Sequence, residues 1–358
     1  MKTYQKELRQ LLRNPDEGPE LVVIGGGTGL STMLRGLKVY SEHITAIVTV
    51  ADDGGSSGLL RKDYGVLPPG DIRNCLLALA DTEQVMEDLM NYRFTEGQLA
   101  GQNFGNLFLT ALSGVSGNFY EAIRNFSSVL AVTGRVLPVS LNNLTISAHL
   151  ADGSVIEGES CIGQREPDAS NPIDFISMDP ADAEPLMEAL EAILTADLVI
   201  LGPGSLYTSI IPNLLFPRLV QSLAETEASC VYVCNIMGQP AETMGYSCTD
   251  HVRAILKHSG SLADNHWLDY CVANSAPIAP ALAEKYRETG SELVLSDAEE
   301  LADLNVRLLT RPLVAVRNEK IRHDTNILAQ CLVQLALDRR ESKLSEAKTK
   351  IYRPEDYL

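Results

Sequence analysis

The sequence predicts an α/β fold: a Rossmann-like, doubly wound, mostly parallel sheet with helices on both faces and a β-hairpin insertion. Three observations predict it. Short apolar runs rich in β-branched residues end in glycines, as Leu21-Val22-Val23-Ile24 does before Gly25. Stretches with helical spacing separate these runs, which joins the strands in parallel. Polar, glycine-containing segments follow successive runs, where a doubly wound sheet gathers its ligands.

The elements follow in order. Residues 1–12 mix Lys2, Lys6, Glu7 and Arg9 with apolar residues, which reads as an amphipathic helix or frayed extension and not as a signal peptide. Strand 21–24, helix 31–39 and strand 44–50 form the first β-α-β unit. Asp71 is expected to cap the next helix, where Ile72, Cys75, Leu76 and Leu79 recur at helical spacing. Two shorter helices follow near 106–112 and 118–126. Alternating apolar residues from 136 to about 162 flank Asp152-Gly153, a hairpin turn signal, and mark an antiparallel insertion. The rhythm then resumes with helix 183–194, strand 198–201, helix 214–224 and strand 231–234. Strand 268–273, helix 280–287, strand 292–295 and a last helix over 326–337 complete it. This divides the chain into an N-terminal extension (1–20), one α/β domain (21–338, insertion about 136–165) and a charged tail (339–358).

Composition narrows the partners. Of 358 residues 45% are hydrophobic, ordinary for a soluble protein, and no apolar run approaches the ~18 residues of a membrane helix. The expectation is a cytoplasmic protein with no membrane insertion. The net charge of −18, from 29 basic and 47 acidic residues, repels phosphate backbones and anionic lipid, so nucleic acid is no partner. Any anion must be held locally, by backbone amides and a few placed cations. Seven cysteines without a CxxC pair read as buried thiols. Apolar faces on the outer helices leave a homo-oligomer of unspecified order open.

Six segments are candidates for the site. Gly25-Gly26-Gly27-Thr28-Gly29 lets amides approach an anion at a helix N-terminus, with Gly26, Gly27, Thr28 and Gly29 as contacts. It is not the dinucleotide fingerprint, because the third glycine would fall at Leu30. Asp52 and Asp53 follow the second strand; they could hold a hydroxyl or Mg²⁺, or form a solvated turn. Arg73, beside Asn74, lies in a helix's first turn, where a cation opposes the dipole; this suggests an anion or a carboxylate partner, or a routine surface charge. Asn103 and Asn106 could cap a helix or meet ligand hydroxyls. Gly202, Gly204, Ser205 and Thr208 form a second strand-then-glycine anion loop. Asn235 stands at the same edge, after the strand ending at Cys234.

The pieces LVVIGGGTGLS, VTVADDGGSSG, LPPGDIRN, GQNFGNLFLTAL, LGPGSLYTSI, NIMGQPAETMGY and DHVRAILKH occur in this order. Together they closely resemble the gluconeogenesis factor family (YvcK type), in the superfamily of the 2-phospho-L-lactate transferase, CofD. The resemblance runs from about Leu21 to Gln334, nearly the whole chain. It implies a cytoplasmic protein needed for cell shape and growth on gluconeogenic carbon sources, binding UDP-sugars, notably UDP-N-acetylglucosamine, with no firmly attached catalysis. The transferase relatives imply instead a Mg²⁺-dependent phospholactyl transfer, with Asp52 matching the acidic residue beside the acceptor hydroxyl. Two further residues match nucleotide-sugar contacts: Tyr286, for stacking on a base, and Arg322, for a pyrophosphate. Where many relatives carry His-Ser this chain has Gln102-Asn103, so an acid–base role there is in doubt. A nicotinamide oxidoreductase is a third reading, opposed by the incomplete fingerprint. None of the six histidines forms a triad or metal spacing, and His251 and His258 lie seven apart on one helix face.

Overall fold

The computed structural model describes residues 2–260 and 267–351. His266 and residues 352–358 of the tail lie outside the described residues. Helix α1 (Lys2–Leu11) leads to strand β1 (Leu21–Gly25), helix α2 (Gly27–Leu37) and strand β2 (Ile44–Val48). Four helices follow: α3 (Gly55–Tyr64), α4 (Pro69–Leu79), α5 (Gln84–Asn91) and α6 (Phe104–Ser116), then α7 (Phe119–Val129). Next come β3 (Arg135–Pro138), β4 (Thr145–Leu150), β5 (Val155–Glu157), α8 (Glu159–Gly163) and β6 (Ile173–Asp179). The second half contains α9 (Met187–Thr195), β7 (Leu198–Leu201), α10 (Ile211–Leu214), α11 (Pro217–Glu225), β8 (Ser229–Val233) and α12 (Cys248–His258). It closes with β9 (Tyr270–Asn274), α13 (Pro280–Arg287), α14 (Ala298–Asp303), β10 (Arg307–Arg311), β11 (Val314–Arg317), β12 (Lys320–His323) and α15 (Thr325–Ile351).

Seven strands form one sheet in the order β10-β9-β8-β7-β1-β2-β3, every pairing parallel. Helices surround it, so β1, β2 and β7 are buried along their whole length; that is why they read as unbroken apolar runs. The chain builds outward from β1 through β2 to β3, then returns to β1's other side with β7 and builds the opposite way. The order reverses between β1 and β7, and ligands of such sheets bind beyond the carboxyl ends at that point.

The antiparallel insertion differs from the expected span. β3 pairs parallel with β2 and belongs to the main sheet; the separate three-stranded sheet is β5-β4-β6, with β6 beyond the predicted limit. The Asp152-Gly153 hairpin joins β4 to β5 as expected. The strand predicted at 292–295 is irregular, touching Met237 through a single bridge at Leu293. The last parallel strand is instead β10, whose mixed burial at the sheet edge gives no apolar run to read. A hairpin, β11–β12, then turns on Asn318 and Glu319, both with positive φ. The charged tail continues α15; Arg340 reaches the Glu17 carbonyl at 3.1 Å and Lys343 the Ala196 carbonyl at 2.8 Å.

Helix α2 packs against α4 and α15. A Cβ on Gly36 would lie 2.6 Å from both the Thr325 carbonyl and its methyl group, so only glycine lets α2 and α15 meet. Gly36→Val should cost about 1–3 kcal/mol through overpacking. Urea unfolding checks this, and a variant as stable as wild type would contradict the close approach.

Candidate functional site

The loops after β1 and β7 meet first. Gly26 leaves β1 in an extended conformation, and α2 starts at Gly27, earlier than expected, so the glycine segment is itself the helix's first turn. A Cβ on Gly26 would lie 2.6 Å from an Asp71 carboxylate oxygen, and one on Gly29 would lie 2.6 Å from the Pro203 carbonyl. The two backbones therefore touch. By helix geometry the amides of Thr28 and Gly29 lack intrahelical acceptors, and they carry the positive end of the α2 dipole.

A cleft of roughly 500 Å³ opens over this contact. Its walls are Gly26 to Gly29, Pro203 to Ser205 with Ser209, residues 235–240 after β8, Tyr286, Thr289 and Ser291 at the end of α13, and Ile321 to His323 of β12. Hydrogen bonds tie the walls together. Asn235 donates to the Gly204 carbonyl at 2.8 Å, and Gln239 donates to the Ser205 hydroxyl at 2.8 Å. The Tyr286 hydroxyl accepts from the Ile321 amide at 2.8 Å, which fixes the ring beside Arg322. His323 Nε2 lies 3.1 Å from the Cys234 carbonyl, so it carries the proton. Burial pushes His323 down to about 4, leaving a neutral ring in the cleft wall.

Of the residues expected in a site, Gly26, Gly27, Thr28, Gly29, Gly204, Ser205, Asn235, Tyr286 and Arg322 share this cleft. The others do not line it. Gly202 has φ +78° and packs against the Val233 carbonyl, shaping the turn from beneath. Thr208 is buried, donating at 3.0 Å to the Glu242 carboxylate, and Ser209 lines the cleft instead. Asn103 caps α6 through the Asn106 amide at 3.0 Å, and the Asn106 side chain donates to Ser56 at 3.3 Å; both are buried. Arg73 is buried, donating to Asn74 at 2.5 Å, with Nε and Nη1 unpartnered; burial lowers it to about 10, still charged at neutral pH.

An acidic layer stands behind the α2 N-terminus. Asp71 does not cap its own helix, where Pro68 holds the cap position; its carboxylate accepts the Gly27 amide at 2.7 Å. Asp52 caps its own loop at Gly54 (2.9 Å), and Asp53 accepts the Ser160 amide at the start of α8 (2.8 Å). Burial, reinforced by neighbouring carboxylates, pushes Asp71 up to about 6 and Glu159 up to about 8; burial chiefly raises Asp52 and Glu242 as well. Among the described residues no three His, Cys, Asp or Glu side chains converge as a metal cage. Asp52 and Asp53 thus suit at most a Mg²⁺ held by one or two carboxylates with ligand phosphates and water. Asp71, Glu159, Glu242 and His323 were not among the expected site residues. Asp71 carries the local signal of a helix cap, while Glu159 is placed by the insertion and has no local signature.

With this geometry in view, known proteins compare as follows. The family model for 2-phospho-L-lactate transferase CofD matches residues 21–314. The putative gluconeogenesis factor of Thermoanaerobacterium thermosulfurigenes is 52% identical over 89% of this chain and 97% of its own length. The gluconeogenesis factor of Bacillus subtilis is 43% identical over 88% of this chain and 98% of its own.

The chain belongs to the CofD family, among its gluconeogenesis factors.

A Bacillus halodurans crystal structure supports the fold: TM-score 0.83, 40% identity, 88% of this chain and 100% of that one. Another, described as a member of the UPF0052 family from the same organism, gives 0.81 over 87% and 98%. In this CofD-family chain the matched region ends at β11, so Arg322 and α15 lie beyond it.

The raised Asp71 carboxyl gives a pH test. Its neutral form is favoured in the fold, so the stability it confers is full below pH about 4 and lost as pH rises through about 6. Asp71→Asn keeps an acceptor for the Gly27 amide and removes the titration. Relative to wild type the variant should gain up to about 3 kcal/mol between pH 4 and 7. Urea unfolding across that range measures the difference, and a constant offset would refute the assignment.

Proposed function

We propose that this gluconeogenesis factor binds a UDP-sugar, UDP-N-acetylglucosamine, in the cleft between β1 and β7, and acts as a cytoplasmic ligand-sensing regulator. In this reading it supports cell morphogenesis and growth on gluconeogenic carbon sources. The observation that carries the proposal is the meeting of the α2 N-terminus, Arg322 and Tyr286 in one cleft. Helix amides and a guanidinium are the two groups that hold a diphosphate, and an anchored aromatic ring offers a base its face. Roughly 500 Å³ lies in the range of small-molecule and cofactor sites. The second glycine loop supplies hydroxyls at Ser205 and Ser209 for the sugar.

Calorimetry with UDP, UDP-N-acetylglucosamine and control nucleotides is the test. Arg322→Gln and Tyr286→Ala should each weaken UDP-sugar binding by about tenfold or more, in line with a charge-assisted contact and base stacking. No detectable UDP-sugar binding by the wild type would sink the proposal.

A second reading is favoured by the acidic layer. Asp52, with a raised carboxyl beside Glu159 and Asp71, suits a Mg²⁺-dependent phosphoryl or phospholactyl transfer of the kind the family model is named for. That reading requires Mg²⁺-dependent turnover that collapses in Asp52→Asn; product formed unchanged by the variant counts against it.

A further inference from the structure

Thr32 lies one turn beyond Thr28 on α2, and its hydroxyl donates to the Thr28 carbonyl at 2.8 Å. It lines a second hollow of roughly 280 Å³ whose other walls are Arg317, Asn318, Lys320, Arg322 and His323. Arg322 and His323 also line the cleft, so the two spaces share a wall. The hollow is an annex of the candidate site.

Its charge is one-sided. Arg317, Lys320 and Arg322 are exposed, and among the described residues none of them forms an ion pair. The acid of the same hairpin, Glu319, turns to Lys285 at 2.6 Å, and Asp324 caps α15 by accepting the Asn326 and Ile327 amides. In a chain with 47 acids against 29 bases, three cations left unpaired around one hollow leave a local excess of positive charge. The frame is also rigid. A two-residue turn closes the hairpin, and the Ile321 amide is bonded to the Tyr286 hydroxyl, so the backbone that carries the cations is held without a ligand.

We propose that the cleft is the first half of a longer anion site, and that Arg317, Lys320 and Thr32 bind a further phosphoryl group. That group would sit about 6 Å, one helical turn, from the one at the α2 N-terminus. The ligand class is a linear phosphate chain longer than a pyrophosphate. The inference rests on the cleft being an anion site and is independent of the uridine and sugar.

Titration calorimetry of the full chain with inorganic pyrophosphate and inorganic tripolyphosphate tests it. The wild type should bind tripolyphosphate about tenfold more tightly, the margin expected of two partly exposed charge-assisted contacts. R317Q/K320Q should erase that margin while changing pyrophosphate affinity by less than about twofold. R253Q/K257Q removes two cations of α12 that are paired with Asp250 and Asp174, and it should leave the margin intact. A margin that survives R317Q/K320Q, that falls equally in the control, or that is absent from the wild type overturns the subsite. UDP-N-acetylglucosamine is titrated alongside: a margin without UDP-sugar binding defeats the nucleotide-sugar proposal alone.

Discussion

The backbone contact between the two glycine loops is the constraint on which the candidate site depends. β1 lies at the centre of the sheet with β2 on one side and β7 on the other, so two loops leave adjacent strand ends at the same level. They fit only because Gly26, Gly29 and Gly204 present no side chain: any Cβ there would meet the opposing backbone or Asp71 at 2.6–3.3 Å. With the loops in contact, the first turn of α2 faces the crevice instead of solvent. The remaining walls are then set by parallel pairing, because β8 follows β7 and its loop falls next in line, and β12 closes the far end through Tyr286.

Electrostatics explains how so acidic a chain can favour an anion at that place. The carboxyls nearest the α2 N-terminus are the ones that burial and mutual repulsion hold toward the neutral form, Asp71 and Glu159 above all. Asp71 accepts the Gly27 amide and so orients the helix start, and burial makes its proton come off only near pH 6. The cations lie on the opposite side, on β11 and β12, with few acids beside them. The overall charge is strongly negative, while the local field at these cations runs the other way.

The legible parts of the fold were those in which one element carries its own signal. β1 and β7 announce themselves because they are buried on both faces, and α13 because Pro280 sets its first turn. β10 and β12 escape notice because edge and hairpin strands alternate with exposed charges, as Arg307, Arg311 and Lys320 do. Residues 292–295 carry strand-like residues but find no partner strand beyond one bridge, since β9's free side is taken by β10. The site divides in the same way. Glycine loops are visible locally, whereas Arg322 could be picked out only by resemblance, since its meaning arises from a hairpin folding back over β8. Asp71 was visible but misassigned: an Asp near a helix start reads as a cap, and nothing local shows it reaching 44 residues back to Gly27.

The separation between cleft and acidic layer bears on whether such a site binds or reacts. The polar groups of the cleft walls are hydroxyls, amides, one guanidinium and a neutral imidazole, which suit a phosphorylated ligand and include no base of raised basicity. The groups that could exchange protons near neutral pH, Asp71 and Glu159, stand on the far side of the glycine turn and do not line the cleft. Transfer chemistry would therefore need an acceptor seated over Asp52, on the β2 side of the switch point, while its donor lies over α2. A ligand confined to the cleft meets only the binding half. One scaffold can thus serve both a transferase and a sensor, the difference lying in whether anything is admitted to the β2 side.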